Sequence, residues 1–482
     1  MTHNYSSLFI GGQWVSPRSA EVNTVVCAST EEVYGHTPLA GANDVDAAVA
    51  AARRAFDGTR WSPLMPAERA DAMERFAAEL EARAASLAEA VTAANGMPHS
   101  LSLPVNGYSG AMILRYYDGL IRKFPMEEVR TGTGEGGTLV RREPLGVVAA
   151  MVPWNYPQTL AMMKIASALA AGCTVVLKPA LETALDANIM AEVTDAAGLP
   201  PGVLNVVPGG MEAGEALVAH PGVDKVAFTG STPVGRAIGE VCGRLLRPVT
   251  LELGGKSAAI VLDDADLAMT AAGLATVSFP NNGQTCYAST RILAPAHRYA
   301  DVLDVVTDMA KALPVGDPFD AATAIGPVVS ARQGERIEGC IAAGRNEGAR
   351  LTTGGKRPAH LERGWFVEPT VFGDVANDMV IAREEIFGPV VVVIPYQDEN
   401  EAVALANDSE YGLGGSIWTA DVERGTALAR RIHTGTVGVN GYQLDFDAPF
   451  GGVKASGLGR ELGPEGLNAY FQLKSVYLPK TA

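Results

Sequence analysis

Between Gly146 and Leu253 the chain alternates short runs of Val, Ile, Leu and Ala with stretches of helical spacing, and this rhythm narrows the fold more than any other feature. The apolar runs at 147–152, 174–177, 203–207, 226–228 and 249–253 read as strands, with helices over 157–171, 185–197, 213–219 and 234–245 between them. Runs with no polar alternation are buried on both faces, which is the pattern of a parallel sheet covered by helices. The expected fold class is α/β, with a doubly wound domain. Ligands in such sheets sit beyond the carboxyl ends of the strands. Asn155, Lys178, Gly209, Gly230 and Glu252 each fall at or just after such an end.

The flanking segments differ in kind. Residues 8–10 and 14–15 bracket Gly11-Gly12-Gln13 as a β-hairpin. Asn43 and Asp44 are placed to cap a helix over 47–55 that stops at Gly58. Pro66 opens a long helical region ending near Gly96, and another helix is expected over 110–123. The glycine-rich segment 130–137 reads as a turn or arm between extended segments. A second α/β run starts at Ser257, with strands near 258–262, 291–293, 390–394 and 415–418. The apolar run 473–478 reads as a terminal strand that needs a partner sheet, in this chain or in another copy.

Two stretches carry chemistry. Glu252 lies in Thr250-Leu251-Glu252-Leu253-Gly254-Gly255-Lys256-Ser257, and Cys286 closes Asn281-Asn282-Gly283-Gln284-Thr285-Cys286. A thiol to attack carbon and a carboxylate to activate water are what an acyl-transfer site needs. Taken alone, Glu252 is equally a surface acid and Cys286 a small buried hydrophobe. The amide in Pro153-Trp154-Asn155-Tyr156-Pro157 either donates to an oxygen that becomes negative during reaction or caps the helix that follows. Lys178 holds ribose or phosphate, or is solvated. Phe228-Thr229-Gly230-Ser231-Thr232-Pro233-Val234-Gly235 resembles a phosphate loop opening a helix, although Thr232 stands where G-x-G-x-x-G would have its second glycine.

Composition removes whole classes of function. Lys and Arg total 38 against 54 Asp and Glu, a net charge of −16, which argues against a nucleic-acid or anionic-membrane surface. No apolar run reaches the roughly 18 residues of a membrane-spanning helix. The opening Met1-Thr2-His3-Asn4-Tyr5 lacks the layout of a signal peptide. Cys27, Cys173, Cys242, Cys286 and Cys340 are widely spaced, and the 7 histidines form no pair at ligand spacing. The expectation is a cytoplasmic protein without disulfides or a metal.

In this order the motifs resemble the aldehyde dehydrogenase superfamily. The resemblance runs from Phe9-Ile10-Gly11-Gly12-Gln13-Trp14, through Glu384-Glu385-Ile386-Phe387-Gly388-Pro389, to Pro449-Phe450-Gly451-Gly452-Val453-Lys454-Ala455-Ser456-Gly457. It implies a Rossmann-like NAD(P)-binding domain over 1–124 and 146–253 and an α/β catalytic domain over 254–455. It also implies a small β oligomerisation arm over 125–145 and 466–482, in a homodimer or homotetramer. The nucleophile falls on Cys286, the general base on Glu252, and the oxyanion amide on Asn155, helped by the Cys286 N–H. Around the cofactor fall Met151, Val152, Pro153, Trp154, Lys178, Gly209, Gly230, Ser231, Leu253, Glu385 and Phe387. Of these, Lys178 and Ser231 would meet ribose and phosphate, and Glu385 and Phe387 the nicotinamide riboside. The aldehyde tunnel falls on Tyr156, Leu160, Met163, Thr285, Tyr287, Leu444 and Phe450.

The implied reaction is attack by the Cys286 thiolate, hydride transfer to the nicotinamide, and hydrolysis of the resulting thioester by Glu252-activated water. The thiol is expected to have a depressed pKa, from the cationic nicotinamide and nearby N–H donors. Apart from Thr285, the tunnel residues are apolar or aromatic and offer no Arg or Lys to a second carboxylate, which favours neutral aldehydes. One position departs from the family pattern. Leu181 stands three residues after Lys178, where a glutamate often grips the adenosine ribose, and Glu182 follows it. NAD remains favoured over NADP because 178–182 offers no dedicated phosphate partner. Two other readings remain: a coenzyme A-acylating enzyme, against which Glu252 weighs, and a non-catalytic binding or structural relative that would tolerate loss of the nucleophile or base.

Overall fold

The computed structural model describes residues 3–58, 61–131 and 136–479. The five apolar runs form the centre of an eight-stranded sheet. Its order is Gly457–Leu458, Val249–Glu252, Lys225–Thr229, Val147–Met151, Thr174–Lys178, Leu204–Val206, Leu8–Ile10 and Gln13–Val15. The five central strands are mutually parallel. Gly457–Leu458 closes one edge antiparallel, and the expected hairpin closes the other. Every residue of Val147–Met151 and of Lys225–Thr229 is buried, as continuous apolar runs require. The connecting helices are Pro157–Ala171, Ala184–Ala196, Met211–Ala219 and Thr232–Arg244.

Strand order decides where a ligand fits. The chain lays down Val147–Met151, adds two strands on one side, then crosses to add Lys225–Thr229 and Val249–Glu252 on the other. Connections therefore leave in opposite directions beyond the ends of Val147–Met151 and Lys225–Thr229, and a crevice opens there.

A seven-stranded sheet follows, ordered Arg350–Thr353, Thr370–Gly373, Val390–Tyr396, Ser289–Pro295, Ser257–Val261, Gly415–Trp418 and Gly438–Val439. All of its strands are parallel except Arg350–Thr353. The terminal strand Phe471–Tyr477 finds its partner within the chain, pairing antiparallel with Gly137–Pro144, which also pairs with Glu127–Thr131. Strands thus flank the Gly-rich segment on either side, while residues 132–135 of the expected turn or arm lie outside the described residues.

Two local expectations need correction. The first helix runs Ala42–Asp57 from a Gly41 cap, and the Asp44 carboxylate accepts the Gly41 N–H at 3.0 Å from inside the first turn. An acid three residues in satisfies the cap residue's own N–H, where a side chain at the cap would take one from inside the first turn, so the sequence signal is right in kind and displaced in register. The long helical region is two helices, Pro66–Ala82 and Ala84–Asn95, the second ended by left-handed Gly96 (φ 78°).

Candidate active site

The crevice leads into a cavity of about 790 Å³ between the two large sheets. The eight-stranded side contributes Pro153, Trp154 and Asn155 beyond one strand end, Thr229, Gly230 and Ser231 beyond its neighbour, and Leu253 and Gly254 beyond the next. Across from them lie Cys286, Gln333, Arg336, Glu385 and Phe387. The helix Thr232–Arg244 starts at this cavity with no side-chain cap on its Ser231 end, so its first N–H groups are left for an anion. Glu385 accepts the Gly255 N–H at 3.0 Å, and burial pushes its carboxyl up to about 7. A Cβ on Gly254 would overlap that carboxylate, and one on Gly255 would overlap the Cys286 carbonyl oxygen, so two side-chain-free residues let all three segments meet. Phe387 holds φ at 59°, unusual for a bulky residue, with its carbonyl gripped by Gln333 at 2.8 Å and its ring edge-on to Trp154 at 5.3 Å. An uncapped helix start and a fixed carboxylate across one cavity fit the pyrophosphate and ribose hydroxyls of a dinucleotide.

Cys286 is half-buried on the wall of this cavity, on a loop shaped by two consecutive left-handed residues, Asn281 (φ 50°) and Asn282 (φ 60°). Side-chain amides hold that loop. Asn282 donates to the carbonyls of Gly96 and Pro327, each at 2.8 Å, and accepts from Gly326 at 2.7 Å. Gln284 accepts the Val329 N–H at 2.9 Å. Asn95 donates to the carbonyls of Trp154 and Asn155, and Asn281 donates to the Asn155 carbonyl, all at 3.0 Å. The buried Asn155 amide donates one N–H to the Gln284 carbonyl at 3.0 Å, leaving its second N–H for another acceptor.

The thiol departs from expectation. Burial pushes it well above the ordinary cysteine range, and Glu385 and Glu252 raise it further. A depressed pKa is therefore not a property of the protein alone. The acids acting on the sulfur oppose it, so a lowered value has to come from a cation brought beside Cys286.

Glu252 is buried at the end of its strand, and neither carboxylate oxygen has a hydrogen-bond partner. Burial raises its pKa well above the usual range, the nearby Glu461 raises it further, and Lys164 and Arg460 oppose this. Glu461 is committed elsewhere: Lys164 bridges to it at 2.7 Å and also donates to Thr229 at 2.6 Å, with both ionic side chains buried. Glu461 Oε2 is unpartnered too, but Glu252 has both oxygens free, carries no ion pair among the described residues and acts directly on Cys286.

None of the seven residues expected to form the aldehyde tunnel is in the lining of this cavity; apart from Thr285 they belong to the packed core behind it. Leu160, Met163 and Phe450 belong to one core cluster on which Tyr156, Cys286, Tyr287 and Leu444 pack. Tyr156 joins Thr285 through a 2.8 Å hydrogen bond. Among the cofactor candidates, Pro153, Trp154, Gly230, Ser231, Leu253, Glu385 and Phe387 line the cavity. Met151 and Val152 lie outside its lining in the core, Gly209 packs on Ala213, and Lys178 lies against Gly214 at the next strand end. Leu181 is not in its lining either but borders, with Glu182, a neighbouring hollow; its carbonyl is bonded by Asn23 at 2.8 Å, and Glu182 sits 3.9 Å from Arg332 of the cavity lining.

Sequence reasoning missed Asn95, Gln333, Arg336, Tyr442 and the clamping roles of Asn282 and Gln284. Only the last two left a usable trace, in an amide-rich loop where Asn tolerates left-handed backbone. Among the described residues no helix is long and apolar enough to cross a membrane, and no group of three or more His, Cys, Asp or Glu is placed to hold a metal ion.

Known proteins match this architecture over nearly its full length. Residues 14–476 match the model of the aldehyde dehydrogenase family. A geranial dehydrogenase of Castellaniella defragrans is 52% identical, over 99% of this chain and 100% of its own. A 3-succinoylsemialdehyde-pyridine dehydrogenase of a Pseudomonas species is 42% identical, over 98% of each chain. A Mycobacterium tuberculosis aldehyde dehydrogenase solved with NAD+ superposes with a TM-score of 0.98 at 49% identity, covering 100% of both chains. A Bacillus cereus aldehyde dehydrogenase in its NAD+ complex gives 0.95 at 41%, covering 98% of this chain and 96% of its own. A thiol and an unpartnered carboxylate beside a dinucleotide crevice, on a chain so matched from end to end, leave one assignment: this chain belongs to the aldehyde dehydrogenase family.

Proposed function

We propose that this chain oxidises a neutral, largely apolar aldehyde to its carboxylic acid with NAD+, using Cys286 as nucleophile, Asn155 as oxyanion donor and Glu252 as hydrolytic base. The observation that carries the reading is a half-buried thiol, in electrostatic contact with an unpartnered carboxylate, on the wall of a cavity that fits a dinucleotide. The cofactor supplies the hydride acceptor. The Cys286 sulfur bonds to the carbonyl carbon, and the oxygen that turns negative is met by the free Asn155 N–H and the Cys286 N–H. Once the acyl group is a thioester on Cys286, Glu252 takes a proton from water as it adds to that carbon, and the acid leaves with the thiol restored. A carboxylate with no other partner favours water over coenzyme A as acyl acceptor. The relatives named above act on dissimilar aldehydes, so the tunnel must decide the substrate. NADH absorbance with an aldehyde and NAD+, unchanged by added coenzyme A, tests the reading; NADH that forms only with coenzyme A would overturn it.

The chain divides, on this reading, into the NAD-binding, catalytic and arm segments set out above, and works in the cytoplasm. Val129, Leu473, Val476 and Tyr477 of the three-stranded sheet are exposed, which supports self-association through that arm.

Asn155→Ala is expected to lower kcat by about 10²–10³-fold, the usual loss for one oxyanion donor, with little change in NAD+ affinity by fluorescence titration. An unaltered kcat would remove Asn155 from the chemistry. Leu181→Glu is expected to widen a preference for NAD over NADP by placing negative charge near the 2′ position. An unchanged ratio of kcat/KM for the two cofactors would mean that Leu181 does not face the ribose.

A further inference from the structure

From Tyr442 to Asp447 side chains alternate, with Tyr442, Leu444 and Phe446 half-buried and Gln443, Asp445 and Asp447 exposed. This extended stretch turns three apolar side chains inward, and the first meets the residue that follows the nucleophile. The rings of Tyr287 and Tyr442 stack with centroids 4.5 Å apart and planes 16° from parallel. Three constraints fix the pair. The Tyr442 hydroxyl lies 2.6 Å from the Thr436 hydroxyl, which itself donates to the Leu413 carbonyl at 2.9 Å, so the phenol is the donor to Thr436. Tyr287 packs on the core that holds Cys286, and Tyr442 on the core of the seven-stranded half, so the stack bridges the two. Gly414 lies against both: a Cβ there would stand 3.3 Å from Tyr287 Cβ and from Tyr442 Cε2, and 3.4 Å from Thr436 Oγ1. Burial raises both phenols far above their ordinary range, so the wall is neutral, and both hydroxyls are within electrostatic reach of Cys286. Tyr442 is within reach of Glu252 as well.

We propose that the Tyr287–Tyr442 stack is the specificity wall beside the reacting carbon, selecting aldehydes whose carbonyl is conjugated, to an alkene or an aryl ring, over saturated ones. The proposal rests on the aldehyde-oxidation reading above. The atoms around a conjugated carbonyl are coplanar and can lie at van der Waals distance along a flat aromatic surface. A saturated chain presents tetrahedral carbons that stand off from such a surface, and it gives up more rotational freedom when held there. A loose side chain would adjust to either shape. Tyr442, bonded at its hydroxyl and stacked on a ring, has nowhere to move, and Thr436 and Gly414 act on substrate only through it, as positioning residues.

The test compares kcat/KM for matched aldehydes, cinnamaldehyde against dihydrocinnamaldehyde and crotonaldehyde against butanal, in the wild-type enzyme, Tyr442→Leu and Thr436→Val. Intrinsic carbonyl reactivity is the same for every enzyme, so the change in the conjugated-to-saturated ratio reports the wall alone. The ratio is expected to fall about fivefold in Tyr442→Leu, the scale of one aromatic contact, and about twofold in Thr436→Val, which keeps both rings but loosens one. Thr436→Val carries the test if Tyr442→Leu does not fold, judged by thermal melting. A wild-type ratio no greater than that of the variants would overturn the proposal, as would a loss of activity equal for both members of each pair. Absence of NADH with all four aldehydes in the wild-type enzyme would instead remove the reaction itself, and the wall with it.

Discussion

Cys286→Ala is expected to lower aldehyde turnover by about four orders of magnitude or more, the scale seen when a covalent nucleophile is removed. No substitute thiol stands in the cavity: Cys173, Cys242 and Cys340 are buried elsewhere, and Cys27 lies beside Ser29. The fold should survive, because the loop is held by Asn282 and Gln284 rather than by the sulfur. Burial and the nearby acids disfavour the thiolate, so the substitution removes a neutral group and leaves no buried charge unpartnered. Steady-state NADH formation reads the effect, with thermal melting and NAD+ titration as controls for folding and cofactor binding. Substantial turnover with the other four cysteines intact would refute the covalent mechanism.

Glu252→Gln is expected to separate the two halves of the reaction. Gln is nearly isosteric and cannot ionise, and burial first and Glu461 second already make ionising Glu252 costly, so folding should not suffer. Attack and hydride transfer would still run once, and hydrolysis would then stall because an amide is a poor base. The signature is a burst of about one NADH per site followed by a steady rate lower by about 10³-fold, within the range of general-base effects. The wild-type pH dependence carries the same assignment. A carboxyl raised above its usual range stays protonated further up the pH scale, and only its deprotonated form accepts a proton. The wild-type steady rate should therefore rise with pH through the elevated Glu252 pKa, and the variant should lose that limb. A variant with no burst whose activity recovers at high pH would make Glu252 the base for the thiol instead. Normal steady turnover would move the hydrolytic role to Glu461.

Much of this molecule is legible in its sequence, for physical reasons that also mark the limit. The parallel strands are continuous apolar runs between helical stretches, and burial on both faces is a local property of composition, so 147–152 and 226–228 could be found from a short window. That the first of these lies beside the second, and that the crevice opens between them, depends on pairing across about 80 residues, and no local pattern encodes strand order. The consequence is specific. Every strand end was an equal candidate in the sequence, but Trp154 and Gly230 line the cavity while Lys178 and Gly209 lie outside its lining.

The catalytic side chains were visible as residue types, and their environments were not. Nothing near Cys286 in the chain reveals that its neighbours in space are two acids, so the thiol's upward shift had no sequence signal. Asn281, Asn282 and Gln284 read as turn formers, and the left-handed backbone at the two asparagines agrees. Their side chains also clamp the nucleophile loop to Gly96, Pro327 and Val329, contacts that only folding creates. Tyr442 was passed over because two half-buried faces on either side of a stack look, in one dimension, like any aromatic residue in a loop.

The account stands most directly on one covalent bond. Glu252→Gln mixed with NAD+ and an aldehyde, quenched after the burst and digested, should yield the peptide containing Cys286 with the mass of one added acyl group, on close to one site per chain. An acylated Cys286 that then clears slowly is the expected result. A full NADH burst with Cys286 unmodified, or an acyl group on any other residue, would contradict it.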